Sequence, residues 1–222
     1  FALRRAAIGL LRIVIENNLE LKLKDLISYA IRLYLDQGVK IENDQVEKDI
    51  LNFLKERMRN ILKEKKIKLD IVEAAISSHI GDNYLTLYKK SMVMNKNFNK
   101  DVGKDAIYSF KRVSSILDHE NKKSSKKLTG RPDAVLFRKE EEKFLFEKLN
   151  EIRKSFTVKE DRKDYEELLA ELAGIKESTD NFFDNVVVND ENQDIKNNRL
   201  ELMYMFCKIF NAYIDFSKLE GV

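Results

Sequence analysis

The densest cluster of side chains able to bind a ligand lies near the middle of the 222-residue chain. Between Asn121 and Arg131 there are five basic residues and no acidic one, namely Lys122, Lys123, Lys126, Lys127 and Arg131. Lys111 and Arg112 lie in the segment just before it and could extend the same positive patch. Cationic side chains on flexible stems suit phosphate groups, and each displaced counterion steepens the salt dependence of binding. From these residues alone, the stretch is either an RNA-contacting patch or a solvated linker.

Aromatic side chains that could stack on unpaired bases are also present. Unpaired bases are recognised by stacking and by hydrogen bonds to their edges. The aromatic residues available for this are Tyr108, Phe110, Phe182 and Phe183, but each also fits a core position, and we favour the core interpretation. The segment from Glu177 to Asp194 is acidic and would repel phosphate, so we expect any RNA face to lie elsewhere.

The chain offers little for catalysis or for a metal ion. His79, His119 and Cys207 are scattered along the sequence rather than placed at the spacing of metal ligands. There is no glycine-rich phosphate loop, and no histidine stands where a hydrolase triad would need one. We therefore expect no catalytic residue, no metal and no cofactor in this chain.

The composition predicts an all-α protein. One proline and seven glycines are too few for the turns of an all-β fold, and 36% charged residues suit solvated helix faces. The net charge of +3 is too small to argue for nucleic acid by itself. A single cysteine excludes an internal disulfide and fits a reducing cytoplasm. No apolar run is long enough to cross a membrane.

Apolar residues recur at three- and four-residue steps and predict a series of helices. These cover about Phe1–Asn17, Leu23–Gln37, a third helix capped by Asp44 and reaching Lys63, Ile71–Ile80 capped by Asp70 and closed by Gly81, Tyr84–Phe98, Asp101–His119, Lys139–Phe156, Arg162–Ile175 and a closing pair. The last helix is apolar almost all round between Leu202 and Phe216. Such a helix must be wrapped by others, so we expect it to be the central helix of a bundle.

Eight short strings occur in order along the chain: Phe1-Ala2-Leu3-Arg4-Arg5, Phe53-Leu54 with Arg57 and Arg59, Asp70-Ile71-Val72-Glu73-Ala74, Phe110-Lys111-Arg112-Val113 with Ile116-Leu117, Gly130-Arg131-Pro132-Asp133, Phe182-Phe183-Asp184, Asn198-Arg199-Leu200 and Asp215-Phe216-Ser217. Together they resemble the C-terminal end of the large (beta) chain of the two-subunit, bacterial type of glycyl-tRNA synthetase. No single string is diagnostic, but the ordered set is specific and spans nearly the whole chain. Three positions depart from the family pattern, with Met58 in place of Leu, Leu69 in place of an aromatic residue and Ser115 in place of Asn.

The same resemblance suggests a domain organisation. Arg112 with Ser115-Ile116-Leu117 is similar to the opening helix of the helical anticodon-binding domain, which arginyl-type synthetases share. This implies a boundary near residue 100. Residues 1–100 would be a helical linker from the preceding domain, and residues 101–222 the anticodon-binding helical bundle. Since the chain begins with Phe1 rather than Met, we expect it to be a fragment of a longer protein.

The resemblance also implies a function. In this family the alpha chain carries the ATP-dependent aminoacylation site, the beta chain binds tRNA, and two of each form a cytoplasmic heterotetramer. The fragment would bind the anticodon stem and loop of glycine tRNA without chemistry of its own. The residues that we expect to contact phosphate or base are Lys111, Arg112, Lys126, Lys127 and Arg131, followed by Asn198 and Arg199, which could instead hold the bundle together.

Two other functions remain open at this stage. One is a helical protein-interaction scaffold in which the basic stretch is only a solvated linker. The other is the corresponding domain of an arginyl-type synthetase, which predicts true class I motifs upstream of this chain, whereas the glycyl interpretation predicts none.

Overall fold

The structure is a computed structural model that describes residues 2–78, 83–121 (without the side chain of Asn121) and 127–221. Within these ranges all regular structure is helical, which confirms the predicted all-α class. The α-helices, numbered in chain order, are α1 Ala2–Glu16, α2 Leu23–Asp36, α3 Val46–Glu64, α4 Leu69–Ser77, α5 Tyr84–Asn97, α6 Asp101–Asn121, α7 Glu140–Arg162, α8 Tyr165–Ala173, α9 Lys176–Asn185 and α10 Gln193–Tyr213. Short 3-10 helices lie at Ala134–Leu136 and Phe216–Lys218. The chain divides into two compact units, Phe1–Asn95 and Lys96–Val222.

The first unit is organised around α3, against which α1, α2 and α4 pack. Leu54, Met58 and Leu62 recur every four residues on α3 and are all buried, as a helical period requires. Arg59 of α3 donates hydrogen bonds of 2.9 Å from Nε and from Nη2 to the two carboxylate oxygens of Glu73 on α4. This planar, two-pronged pair fixes α4 against α3 in one orientation.

Some helix ends differ from the sequence-based prediction. The side chain of Asn43, not that of Asp44, accepts a backbone N–H two residues further on, at 2.8 Å, where α3 begins. Helix α7 does not end at Phe156 but continues to Arg162. Helix α4 begins at Leu69, so Asp70 lies in its first turn and is not its cap. The helix ends at Ser77, before an extended Ser78, and so stops short of the predicted end at Ile80 and Gly81, which lies outside the described residues.

The second unit is built around α10, as its apolar pattern predicted. It packs against α6, α7 and α8 and against both 3-10 helices. The four consecutive residues from Leu200 to Met203 are all buried, and four consecutive positions cover the whole circumference of a helix. No side of α10 therefore faces solvent at that level. Since α10 is enclosed, any residue that it fixes is held by the core of the unit.

Candidate nucleic-acid interface

Residues 127–133 form a loop that lies on α10, and we call it the anchored loop. Its backbone is held by one carboxylate oxygen, Oε2 of Glu201. That atom accepts hydrogen bonds from the backbone N–H groups of Thr129 at 2.9 Å, Gly130 at 2.6 Å and Arg131 at 3.3 Å. Hydrogen bonds to a charged group contribute about 1.5–3 kcal/mol each, roughly twice the neutral value. The loop is therefore fixed at its centre by a residue of the buried helix.

A second residue of α10 holds the end of the anchored loop. Asn198 accepts a hydrogen bond from the backbone N–H of Asp133 at 2.6 Å and donates one to the Asp133 carbonyl at 2.9 Å. Its side chain is buried, so its polar atoms are not presented to a ligand. Of the two roles that the sequence left open for Asn198, the structure gives it the one of holding the bundle together.

Arg199 is likewise committed to partners inside the protein. Its Nε donates to Glu142 at 2.8 Å, and its Nη1 donates to Asp190 at 2.7 Å and to the carbonyl of Val187 at 2.8 Å. Burial works against the charge on Arg199, but the hydrogen bonds to Glu142 and Asp190 outweigh it and raise the pKa of the guanidinium. Only 4% of the residue is exposed, so it has no surface to offer to RNA.

Arg112 on α6 lies against the acidic helix α9. Its guanidinium pairs with Asp180, and with Asp184 at 3.3 Å, and lies 4.9 Å from the ring centroid of Phe183. Partial burial opposes the charge, but the two carboxylates raise the pKa of Arg112 all the same. The neighbouring Lys111 is exposed and has no ion pair among the described residues. Of the two cations expected to form a positive patch on this helix, only Lys111 remains uncompensated, because Asp180 and Asp184 neutralise the charge of Arg112.

The anchored loop itself carries the cations that are free to bind a ligand. Lys127 and Arg131 are exposed, and within the part of the chain that the structure describes neither forms an ion pair. Lys126 lies outside the described residues. Since Glu201 and Asn198 fix the backbone at Thr129–Arg131 and at Asp133, the side chain of Arg131 extends from a defined position, and Lys127 lies two residues before the fixed part.

The aromatic residues divide between core and surface. Phe110 is buried among Phe210 and Phe216, at centroid distances of 5.8 and 5.5 Å, and Phe182 is completely buried. The core interpretation is confirmed for Phe110 and Phe182. Tyr108 is 49% exposed, and the Lys176 ammonium lies 5.5 Å from its ring centroid, next to the acidic residues of α9.

Two basic residues that the sequence analysis did not select share a cavity with the anchored loop. Arg153 of α7 and Lys208 of α10 line a cavity of about 250 Å³ whose wall includes Gly130. Lys208 was visible in the sequence as the one cation in the apolar stretch from Leu202 to Phe216. Arg153 was not distinguishable there from the many other charged residues of α7.

Other reactive groups give no sign of catalysis. Cys207 is buried, and this burial raises the pKa of its thiol to about 12, so the group is neutral and unreactive. Among the described residues there is no group of three or more His, Cys, Asp or Glu side chains that could hold a metal ion. In the same residues no helix combines the length and the apolar character needed to span a membrane.

Two protein-family models match different parts of the chain. Residues 106–216 match the model of the DALR anticodon binding domain, so the second unit is a helical domain of that class. Residues 1–77 match the model described as the glycyl-tRNA synthetase beta subunit. The chain therefore belongs to the family of the DALR anticodon binding domain, and its first 77 residues are similar to the glycyl-tRNA synthetase beta subunit.

Curated relatives agree with this assignment. The chain is 33% identical over 221 residues to the glycine–tRNA ligase beta subunit of Rickettsia prowazekii (strain Madrid E), covering 99% of this chain and 30% of that protein. The proteins of the same name from Rickettsia africae (strain ESF-5) and Rickettsia felis (strain ATCC VR-1525 / URRWXCal2) are both 34% identical, over 219 and 222 residues, and in both cases 99% of this chain is covered. Of their own lengths, 31% and 30% are covered. The chain thus spans about three tenths of the length of these relatives.

Proposed function

We propose that the chain is the part of a glycyl-tRNA synthetase beta subunit that binds the anticodon stem and loop of glycine tRNA. The observation that carries this proposal is the match of the second unit to the DALR anticodon binding domain. The same unit presents Arg131 on the fixed part of the anchored loop and Lys127 at the start of that loop, both without carboxylate partners among the described residues. Such cations suit the phosphates that flank unpaired bases.

The rest of the enzyme would supply the chemistry. In this proposal an alpha chain carries the site of ATP-dependent aminoacylation, and two alpha and two beta chains form a cytoplasmic heterotetramer. The chain described here contributes binding energy and selectivity for glycine tRNA and no catalytic group. The buried, neutral thiol of Cys207 is consistent with this division of labour.

Charge distribution favours one region of the second unit over another. Helix α9 carries Asp180 and Asp184, whose carboxylates compensate Arg112. That surface would repel phosphate, whereas the anchored loop and Lys111 would attract it. We therefore assign the tRNA contacts to Lys111, Lys127 and Arg131. We also assign one to Lys126, for which the sequence is the only basis.

The test is binding of the chain to glycine tRNA with the two shared anticodon cytosines intact or replaced. We expect weaker binding to the altered tRNA, and a shallower salt dependence for the Lys126→Ala, Lys127→Ala double variant. Each lost phosphate contact lowers the slope of log K against log salt by about 0.7–0.9. Lys154→Ala, an exposed lysine of α7 without an ion pair among the described residues, is the single-site control. Equal binding to both tRNAs would refute anticodon recognition, and no binding at low salt would favour the scaffold interpretation.

A further inference from the structure

The cavity between α7, α10 and the anchored loop has features of a ligand site. We call it the α7–α10 groove. Its apolar part is formed by Phe156, Met205 and Ile209, which are less than a tenth exposed. Its volume of about 250 Å³ exceeds the roughly 150 Å³ of an apolar cavity that accepts benzene. The volume is therefore sufficient for one planar ring system.

The charges at the groove are of one sign. Arg153 and Lys208 line it, and none of its lining residues is acidic. Nη2 of Arg153 donates to the amide oxygen of Asn150 at 2.9 Å, and Nζ of Lys208 makes a long contact of 3.4 Å with the carbonyl of Thr129. Within the described ranges, neither cation has a carboxylate partner. Both keep free N–H donors at the mouth of an apolar cavity.

Other cations of the same unit are treated differently. Lys159, on the same helix as Arg153, pairs with Glu167 at 2.9 Å and with Glu171 at 3.0 Å. Lys196, on the same helix as Lys208, pairs with Glu120 at 2.8 Å. Those two charges stabilise the packing of the helices, whereas Arg153 and Lys208 lie at an apolar cavity without a carboxylate partner among the described residues.

We infer that the α7–α10 groove binds one unpaired nucleotide of a single-stranded RNA loop, with the base against Phe156 and Met205 and a phosphate at Arg153 and Lys208. Unpaired bases bind by stacking on aromatic and apolar side chains, while cations neutralise the adjoining backbone. The apolar residues of the groove match the base of a nucleotide, and the two cations, without an acidic neighbour in the lining, match its phosphate. This inference rests on the proposed function and specifies where in the second unit one base is held.

The steric test fills the groove without changing any charge. Ala212 is an exposed residue of α10 that lines the groove, so Ala212→Leu places a larger side chain into it. Ala170 is exposed on α8 and does not line the groove, which makes Ala170→Leu the matched control. We expect Ala212→Leu to weaken binding of the glycine tRNA anticodon stem-loop about tenfold, at an unchanged salt slope, and Ala170→Leu to have no effect.

The charge test removes the two cations at the rim. Arg153→Gln with Lys208→Gln should lower the salt slope by about 1.4, taking about 0.7 for each cation on a single strand. The control pair is Lys154→Gln with Lys218→Gln, which changes net charge equally at exposed sites outside the groove. Circular dichroism of all variants shows whether each is folded as the parent is.

The outcomes separate this inference from the proposed function. If the parent chain prefers the intact anticodon while Ala212→Leu binds the stem-loop as the parent does, the groove is not the base site and the inference is wrong. Equal loss of slope in the groove pair and the control pair would also overturn it, because the attraction would then be general. If the parent chain does not distinguish the two anticodons, it is the proposed function that fails.

Discussion

Replacing Arg199 by Met tests whether this residue serves the fold or the RNA. The change removes one hydrogen bond to Glu142, one to Asp190 and one to the carbonyl of Val187. Breaking a buried ion pair on one side costs about 3–5 kcal/mol, because the other charge remains buried. Glu142 is completely buried, so this part of the cost applies in full.

Two features of the site place the expected loss at the lower end of that range. Glu142 keeps hydrogen bonds from the backbone N–H groups of Arg138 and Lys139, at 2.7 and 2.8 Å, after Arg199 is gone. Asp190 is 31% exposed, so its pairing with Arg199 contributes little. We therefore expect Arg199→Met to lower the free energy of unfolding by about 3 kcal/mol.

The assay is urea unfolding followed by circular dichroism, with tRNA binding measured under conditions where the variant is folded. With a slope of about 1–3 kcal/mol/M, the midpoint should fall by about 1–3 M. Arg131→Met is the control, because Arg131 is exposed and has no ion pair among the described residues. It should change stability by no more than about 0.5 kcal/mol and lower the salt slope of tRNA binding by about 0.7–0.9. The reasoning is refuted if Arg199→Met keeps its stability and loses tRNA affinity.

Three further predictions concern the anchored loop and the core. Glu201→Ala leaves three backbone N–H groups without their acceptor and should lower the free energy of unfolding by about 2–3 kcal/mol. The loss is no larger because the loop is only partly buried and water replaces some of the bonds. An unchanged urea midpoint would contradict the anchoring role. Gly130→Ala should cost about 1–2 kcal/mol in the same assay, since Gly130 has φ 75° and an added Cβ would lie 3.1 Å from Cδ of Lys208. A variant as stable as the parent would show that the loop can relax. Cys207, with its pKa raised to about 12, should hold only ~10⁻⁴ of its thiol as thiolate at pH 8 and react with iodoacetamide only on unfolding, as mass spectrometry in native and denaturing buffer can show. Rapid alkylation of the native chain would rule out the buried thiol.

The helices and the identity of the central helix were predictable because their signals are local. Leu54, Met58 and Leu62 of α3 follow the helical period, and that period survives whatever the helix packs against. The stretch of α10 from Leu202 to Phe216 is apolar on almost every side, and this pattern predicted that other helices surround it. The end of α7 was missed because it depends on the helix that follows: Lys159, beyond the predicted end, pairs with Glu167 and Glu171 of α8.

The roles of the polar residues were harder to predict, because they depend on partners far away in sequence. Arg112 meets Asp180 and Asp184 only because α6 packs against α9, some seventy residues later. An arginine in a basic stretch looks the same in the sequence whether it is paired or free. Arg199 was open to both interpretations for the same reason, and only its burial decides between them.

The α7–α10 groove could not have been found from the sequence. Arg153 and Lys208 lie on different helices, and nothing in the sequence connects them. Arg153 looks like the other charged residues of α7, whereas Lys208 is the one cation of an apolar stretch. What distinguishes the two is the absence of an acidic side chain from the lining of their shared cavity, which is a property of packing. The boundary near residue 100 remains a prediction.

The attachment of the anchored loop to α10 has a consequence for the entropy of binding. A free surface loop must be ordered when it binds a ligand, at about 1–2 kcal/mol for each backbone residue. Here the amides of Thr129, Gly130 and Arg131 are tied to Glu201, on a helix enclosed by its neighbours. These amides should exchange more slowly than those of a free surface loop, since their hydrogen bonds to Glu201 must open first. The loop is therefore preorganised, and the conformational freedom that binding would otherwise remove has already been lost in folding.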